Sequence, residues 1–401
     1  MNINLQSNYN NSKINENIFC IILSLYIIIG TANNSLFIGE NKFITNPDFF
    51  YNIKIYFFPI ALTLQYIINK RNNFTHLIAG IIFLVACLMI TINSDTHYII
   101  SLGGFILSGL TYNLNPKKIA KVTYLSIFFV TVIIFVASQT GIIYDAINDN
   151  RFGRVGHYFG FYWYTYLPTN ILFSWIIYRY AKEKKASLIE IILFSVLSYI
   201  IFYYSTHRLG FYLSIIVIIM HIVFAKYELI KINNKLIKFL SAIGFFVSSI
   251  ITILLSLLYN DNVKILSKID SLLNGRLHLG KIAFERYKIK LLGQKIILHE
   301  NGTYFLIDSG YIHILLAYGV LLFILIMLMY TFLHWKSCKL NNKTLFIWVT
   351  AQMIYTMINN VWIDLESGSC LLIAAIMIRN EYIEHKKCTN NILLKNRSIF
   401  E

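Results

Sequence analysis

Charge is what this chain has least of. Asp, Glu, Lys and Arg make up 13% of its 401 residues, about half the ~25% usual in soluble domains, while 57% are hydrophobic. A soluble protein of that make-up would have too little polar surface to cover its core. Acids are scarcer still, 19 against 35 bases, for a net charge of +16. No basic folded domain is left over to bind nucleic acid, which argues against that class of partner. Cysteine is sparse and dispersed (Cys20, Cys87, Cys338, Cys370, Cys388), with no CxxC and no Cys/His ligand spacing. Neither a disulfide framework nor a zinc site is expected. The polar, Asn-rich segment Met1 to Asn17 lacks a cleavable signal-peptide layout, so the first apolar run is expected to be a retained span. No internal repeat is evident, and the abundance of Asn, Ile and Lys reads as compositional bias.

What is present is a succession of apolar stretches, each of about 17 to 25 residues and so long enough to cross ~30 Å of hydrocarbon. We read twelve, near 18–38, 51–69, 74–92, 97–114, 122–144, 158–180, 187–205, 209–225, 239–259, 310–333, 344–361 and 367–380. The connectors are alternately basic and nearly uncharged. Lys70-Arg71, Lys117-Lys118 with Lys121, Lys182 to Lys185, Lys226 to Lys238, Lys336 to Lys343 and the basic tail all fall on one side. That side carries 22 of the 35 bases, counting span ends, and is cytoplasmic by the positive-inside rule. The fold expected over 1–401 is a single all-α polytopic membrane bundle with both termini cytoplasmic. One long outer segment, 260–309, departs from the pattern with eight bases; long segments translocate largely regardless of charge.

Four outer stretches hold residues with chemistry to offer. Arg151-Phe-Gly-Arg154-Val-Gly-His157 precedes seven aromatics in the nine residues 158–166. Those rings suit an interfacial belt, while the arginines suit phosphate and the rings suit sugar faces. Pro168-Thr169-Asn170 would lie inside the sixth span, where proline frees a backbone carbonyl and a kink is predicted. Ser205-Thr206-His207-Arg208-Leu209-Gly210 is a tight outer connector whose arginine is either a snorkelling cation or a ligand contact.

The other two lie in and just beyond the long segment. Asn274-Gly275-Arg276 leads into an amphipathic stretch, with Leu277, Phe284, Tyr287 and Leu291 on one face and Lys281, Glu285 and Lys288 opposite. Such a helix suits a bilayer surface, with Arg276 offered to anionic headgroups. Finally, Asp308 and Tyr311 share a helical face at the start of the tenth span. Asp308 reads as a helix cap or a general base, with Asp364 and Glu366 as lesser outer acids. His313 is about 140° around that helix from Asp308, which counts against their acting as a pair.

These stretches together resemble the Wzy-type polymerases of O antigen and capsule, relatives of the O-antigen ligases. Gly153-Arg154 through Pro168-Thr169-Asn170 is similar to that family's "R…G…PN" opening of a span, and Ser205 to Gly210 to its "S.SR.G" step. Asn274-Gly275-Arg276 with Leu291-Leu292-Gly293 follows. Leu306 to His313 with Tyr318-Gly319 resembles the capsule-type "D.GY…YG" pattern. The likeness spans roughly 150–380. Two departures stand out: the spaced Arg…Gly repeat of some members is absent, and Asp308 stands where many relatives have His.

The resemblance implies a GT-C-like glycosyltransferase of the bacterial plasma membrane, working without cofactor or metal on an undecaprenyl-diphosphate-linked oligosaccharide. Membrane lipid, a flippase that supplies substrate and a chain-length regulator are the partners it implies. The leaving diphosphate calls for fixed cations. The expected catalytic set is Arg154, Arg208 and Arg276 with Asp308 as base, supported by Arg151, His157, Asn170, His207, Arg286, Tyr311 and His313 for substrate binding. An O-antigen ligase shares this layout. A lipid-linked oligosaccharide flippase is the rival of another class, and it would carry ionisable groups in mid-span, of which the apolar runs here are almost free.

Overall fold

The computed structural model describes residues 2–37, 52–68, 74–96, 98–151, 154–182, 185–226, 231–297, 299–300, 303–360, 365 and 369–397. Helices dominate. Their order is α1 (Asn2–Asn33), a π-helical turn (Ile53–Phe57) running into α2 (Phe58–Ile68), α3 (Phe74–Ser94), α4 (Tyr98–Thr111) and α5 (Pro116–Gln139). A hairpin of β1 (Ile147–Arg151) and β2 (Arg154–His157) precedes α6 (Tyr166–Lys182), α7 (Leu188–Ser205), α8 (Arg208–Lys226) and α9 (Lys235–Leu257). The long segment holds α10 (Lys264–Leu272), α11 (Arg276–Arg286) and a short hairpin, β3 (His299–Glu300) with β4 (Thr303–Tyr304). The chain closes with α12 (Gly310–His313), a second π-helical turn (Ile314–Tyr318), α13 (Gly319–Lys339), α14 (Lys343–Ile358) and α15 (Cys370–Arg397).

Among the described residues, seven helices are long and apolar enough to cross a membrane by length and composition. The protein is therefore an all-α, multi-pass membrane protein. Its exterior agrees: Ile189, Ile192, Leu193 and Val196 of α7 are exposed along with dozens of other large apolar side chains, a surface suited to lipid and not to water. Inside, one extended core joins Tyr26, Phe105, Phe173, Tyr180, Tyr330, Trp348 and Tyr355 from α1, α4, α6, α13 and α14.

The lysine-rich ends are where asparagine finds a use. Asn115 accepts from the backbone N–H groups of Lys117 (2.9 Å) and Lys118, with Pro116 as first residue of α5. Asn234 caps α9 and Asn342 caps α14, while Ser187 and Glu190 form a capping box on α7. Each satisfies donors that a helix start leaves orphaned.

Two expectations change. The sixth span does not begin at 158. Residues 158–165 form turns in which Phe159 (φ 53°) and Gly160 (φ 80°) are left-handed, and α6 starts at Tyr166. Pro168 therefore sits in the first turn, where a missing N–H costs nothing, and the kink has no cause. The amphipathic helix is shorter than its pattern. It stops at Arg286, Tyr287 is extended, and Leu291 lies beyond it. Its buried face, Leu277, Gly280 and Ala283, packs on the bundle: a Cβ on Gly280 would stand 2.5 Å from Ser256 Oγ and 2.9 Å from Ile312. The face proposed for the bilayer is thus turned against α9 and α12.

Candidate active site

The Asn-Gly-Arg turn builds the first half of the site. Asn274 (φ 56°) and Gly275 (φ 80°) are both left-handed, a conformation that Gly adopts freely and Asn tolerates best among residues with a side chain. The double reversal folds α11 back on α10, and Asp270 caps it from below. Asp270 Oδ1 accepts from Leu277 N (2.7 Å) and His278 N (3.2 Å), and its carbonyl accepts from Gly275 N (2.9 Å). Asp270 is buried, so its charge is compensated by the N–H groups and the positive end of α11.

Arg276, the first residue of α11, is held from two sides. One terminal nitrogen donates to Leu273 O (2.9 Å), and Nε lies 3.3 Å from Asp308 Oδ2. The two side chains are 19% and 25% exposed, open enough for a ligand to reach them. Asp308 stands one residue ahead of the N-cap Ser309, so it is not the cap of α12. Its strand is anchored by buried Phe305 and Ile307, and Asn360 Nδ2 donates to Ile307 O (3.1 Å).

Behind this pair, Tyr311 is buried and its hydroxyl donates to Met353 O (3.3 Å) on α14. Two residues on, the Tyr355 hydroxyl is 2.9 Å from Thr169 Oγ1. The start of α6 is thereby tied to α14. Asn170 faces the other way, donating to Thr131 Oγ1 (3.1 Å) on α5.

A backbone clasp holds the loop over α12 and α13. Gly293 (φ 78°) and Gly319 (φ 87°) meet so closely that a Cβ on Gly293 would stand 2.2 Å from Ala317 O, and one on Gly319 2.4 Å from Leu291 O. Gln294 N donates to Ala317 O (2.9 Å), Val320 N to Lys290 O (3.1 Å) and Leu321 N to Leu291 O (3.2 Å). Only glycine fits here, which explains the Leu-Leu-Gly and Tyr-Gly pairs and the break between the π-turn and α13.

A second cluster forms around β2. His157 Nδ1 is 2.6 Å from Asp145 Oδ2, and Asp145 Oδ1 accepts from Tyr158 N and Phe159 N (3.1 and 2.6 Å). Both residues line the polar end of a cavity of about 560 Å³ whose walls, among them Phe128, Val132 and Leu197, are apolar. His207 is buried beside Tyr164 (ring centroids 5.9 Å), and a Cβ on Gly210 would stand 2.7 Å from His207 Nδ1 and 3.2 Å from Pro168. The Pro-Thr-Asn and His-Arg-Leu-Gly stretches therefore meet, and Arg208 opens α8 beside them, half-buried.

The expected residues thus divide. Arg276 and Asp308 meet, with Tyr311 three residues beyond Asp308 and bonded to α14, and His157, His207 and Arg208 gather around the β2–α6 turn. Arg286, at the end of α11, is exposed and lies over the Phe305 ring (4.9 Å). His313, the last residue of α12, is half-buried, with Nε2 3.1 Å from Tyr318 OH at the end of the π-turn. Arg151 and Arg154 occupy the hairpin strands, but their side chains, and all of Asp364 and Glu366, lie outside the described residues. Among the described residues no cluster of three His, Cys, Asp or Glu is placed to hold a metal ion.

Sequence reasoning missed Asp145, Asp270 and Tyr355. Asp270 left a trace, an acid four residues before an Asn-Gly-Arg turn; Tyr355, in an apolar run, left none. Searches for likeness give this chain no relative: no family model, curated protein or solved structure matches it.

Proposed function

We propose that this chain is a polysaccharide polymerase of the bacterial plasma membrane, a twelve-span glycosyltransferase with cytoplasmic termini. It joins undecaprenyl-diphosphate-linked oligosaccharide repeats for O antigen, capsule or exopolysaccharide. The observation that carries the reading is the partly exposed Arg276–Asp308 pair, held by the Asp270 cap and the Gly293–Gly319 clasp. The ordered Wzy-like motifs support it, as does the meeting of the Asn-Gly-Arg turn with Asp308.

In this reading the resting ion pair opens when substrate arrives. The donor diphosphate takes Arg276, and Asp308 is left to accept the proton of the acceptor sugar hydroxyl. The acceptor oxygen forms a bond to the anomeric carbon as the bond from that carbon to the diphosphate breaks. The electron pair leaves on undecaprenyl diphosphate, whose charge Arg276 stabilises with Arg208 in support. The hydroxyls of buried Tyr311 and Tyr355 are taken by Met353 O and Thr169 Oγ1, which leaves Asp308 as the base.

The test uses purified protein in detergent with a lipid-linked repeat unit as the only substrate. Release of undecaprenyl diphosphate together with a ladder of lengthened glycans is the expected result. Substrate that stays monomeric under conditions where the protein remains folded would refute the reading.

A further inference from the structure

At the end of the bundle away from Arg276 and Asp308 lies a cavity of about 540 Å³, within the range of small-molecule sites. Arg179 and Lys343, which line it, are ten and twelve residues along α6 and α14 from Thr169 and Tyr355, roughly 15 and 18 Å by helical rise. It is therefore a separate site.

Its lining is one-signed. Arg179, Lys185 and Lys343 contribute three cations, and among the described residues its lining includes no acid. Glu190, beside Arg179, accepts from Arg179 (2.9 Å), Lys182 (2.6 Å), Tyr178 (3.0 Å) and the Ser187 backbone (2.9 Å). The Arg179 side chain is wholly buried, and Glu190 offsets the cost of burying its charge. The capped start of α14 adds the positive end of a 16-residue helix, with Thr344 Oγ1 fixed on Asn342 Oδ1 (2.9 Å).

His221 points independently to a ligand. It lines the cavity, its residue is only 6% exposed, its ring packs edge-on against Trp175 (4.9 Å), and Nε2 has no hydrogen-bond partner. A buried ring nitrogen left without a partner is costly, and a phosphate oxygen or its hydroxyl would satisfy it. Phe224, which carries Lys343 over its ring (5.6 Å), and Ile347 give the cavity an apolar side.

We infer that this cavity binds a phosphate group, gripped by Arg179, Lys185, Lys343 and His221 at the lysine-rich end of the bundle. Two sources share that chemistry: the headgroup of an anionic phospholipid in the adjoining leaflet, and a free phosphate compound.

The experiment uses full-length protein in detergent, with phosphatidylglycerol, phosphatidylcholine and inorganic phosphate as probes. Retained lipid is read by native mass spectrometry and stability by thermal melting. Phosphatidylglycerol should stay bound at energies that strip phosphatidylcholine, and Lys185→Gln with Lys343→Gln should weaken it tenfold or more. If millimolar inorganic phosphate displaces the lipid or itself raises the melting point, the site takes free phosphate; if it does neither, the lipid is the ligand. Lys185→Gln alone, at an exposed position, covers the case in which the double variant misfolds, and should weaken binding several-fold. The inference is overturned if phosphatidylglycerol binds no better than phosphatidylcholine and phosphate has no effect, or if the variants retain anionic lipid like the wild type.

Discussion

Arg276 Nε lies 3.3 Å from Asp308 Oδ2, joining two motifs 32 residues apart in the chain. The contact sets the guanidinium Nε against a carboxylate, with both side chains partly open to solvent. A fixed cation facing a developing diphosphate charge is worth about 10²–10³ in rate where water is excluded. Arg276→Ala should therefore lower polymerisation at least 100-fold, and Arg276→Lys should recover little, because an ammonium lacks the planar fork. Asp308→Asn should match the loss while leaving the melting point within a few degrees. The check is single-turnover glycan extension beside thermal melting for each variant.

Asp270 is expected to act through Arg276. Asp270→Ala removes two accepted hydrogen bonds at the start of α11 and should cost about 1–2 kcal/mol, as lost caps do. Hydrogen exchange should then quicken in 276–286 while α5 and α13 keep their protection. Uniform loss across the bundle would argue against so local a role.

At the clasp, Gly293→Ala and Gly319→Ala each force a Cβ into backbone at under 2.5 Å in a conformation that L residues rarely adopt. Strain of that kind costs about 1–3 kcal/mol before the clash is counted. Both variants should melt well below wild type in a thermal scan; an Ala at Gly141, which has open space around it, should cost less.

Glu381 gives a pH dependence. Lys336, which is buried, and Lys339 (2.5 Å) both donate to its carboxylate, and these bonds hold its pKa below the ordinary 4.5. A folded-state pKa below the unfolded one means the stabilisation is complete above about pH 4.5 and is lost as pH falls through the folded value. Glu381→Gln should cost about 1–2 kcal/mol at pH 7, between the values for exposed and buried pairs. Melting points of wild type and variant, scanned from pH 7 to strongly acid, should converge at the acid end.

The membrane class was legible because long apolar runs have few alternatives. The span from 158 was misread because Tyr158 to Tyr166 count as apolar, whereas Phe159 and Gly160 impose a turn that hydropathy cannot register. The end of α11 was missed for a similar reason: Leu291 keeps the helical period, but the chain leaves the helix at Tyr287 to reach the Gly293–Gly319 clasp. Which motifs touch depends on tertiary packing. The bond between Tyr355 and Thr169, which ties α14 to α6, runs through a tyrosine that sequence cannot distinguish from core.

The central claim is tested most directly by the surface-glycan ladder of a deletion strain, complemented with wild type or with Arg276→Ala. The account predicts that deletion leaves core bearing a single repeat unit, that wild type restores the ladder, and that Arg276→Ala does not. Loss of even the single unit would point to ligation or flipping, and a full ladder from Arg276→Ala would contradict the role of the Arg276–Asp308 pair.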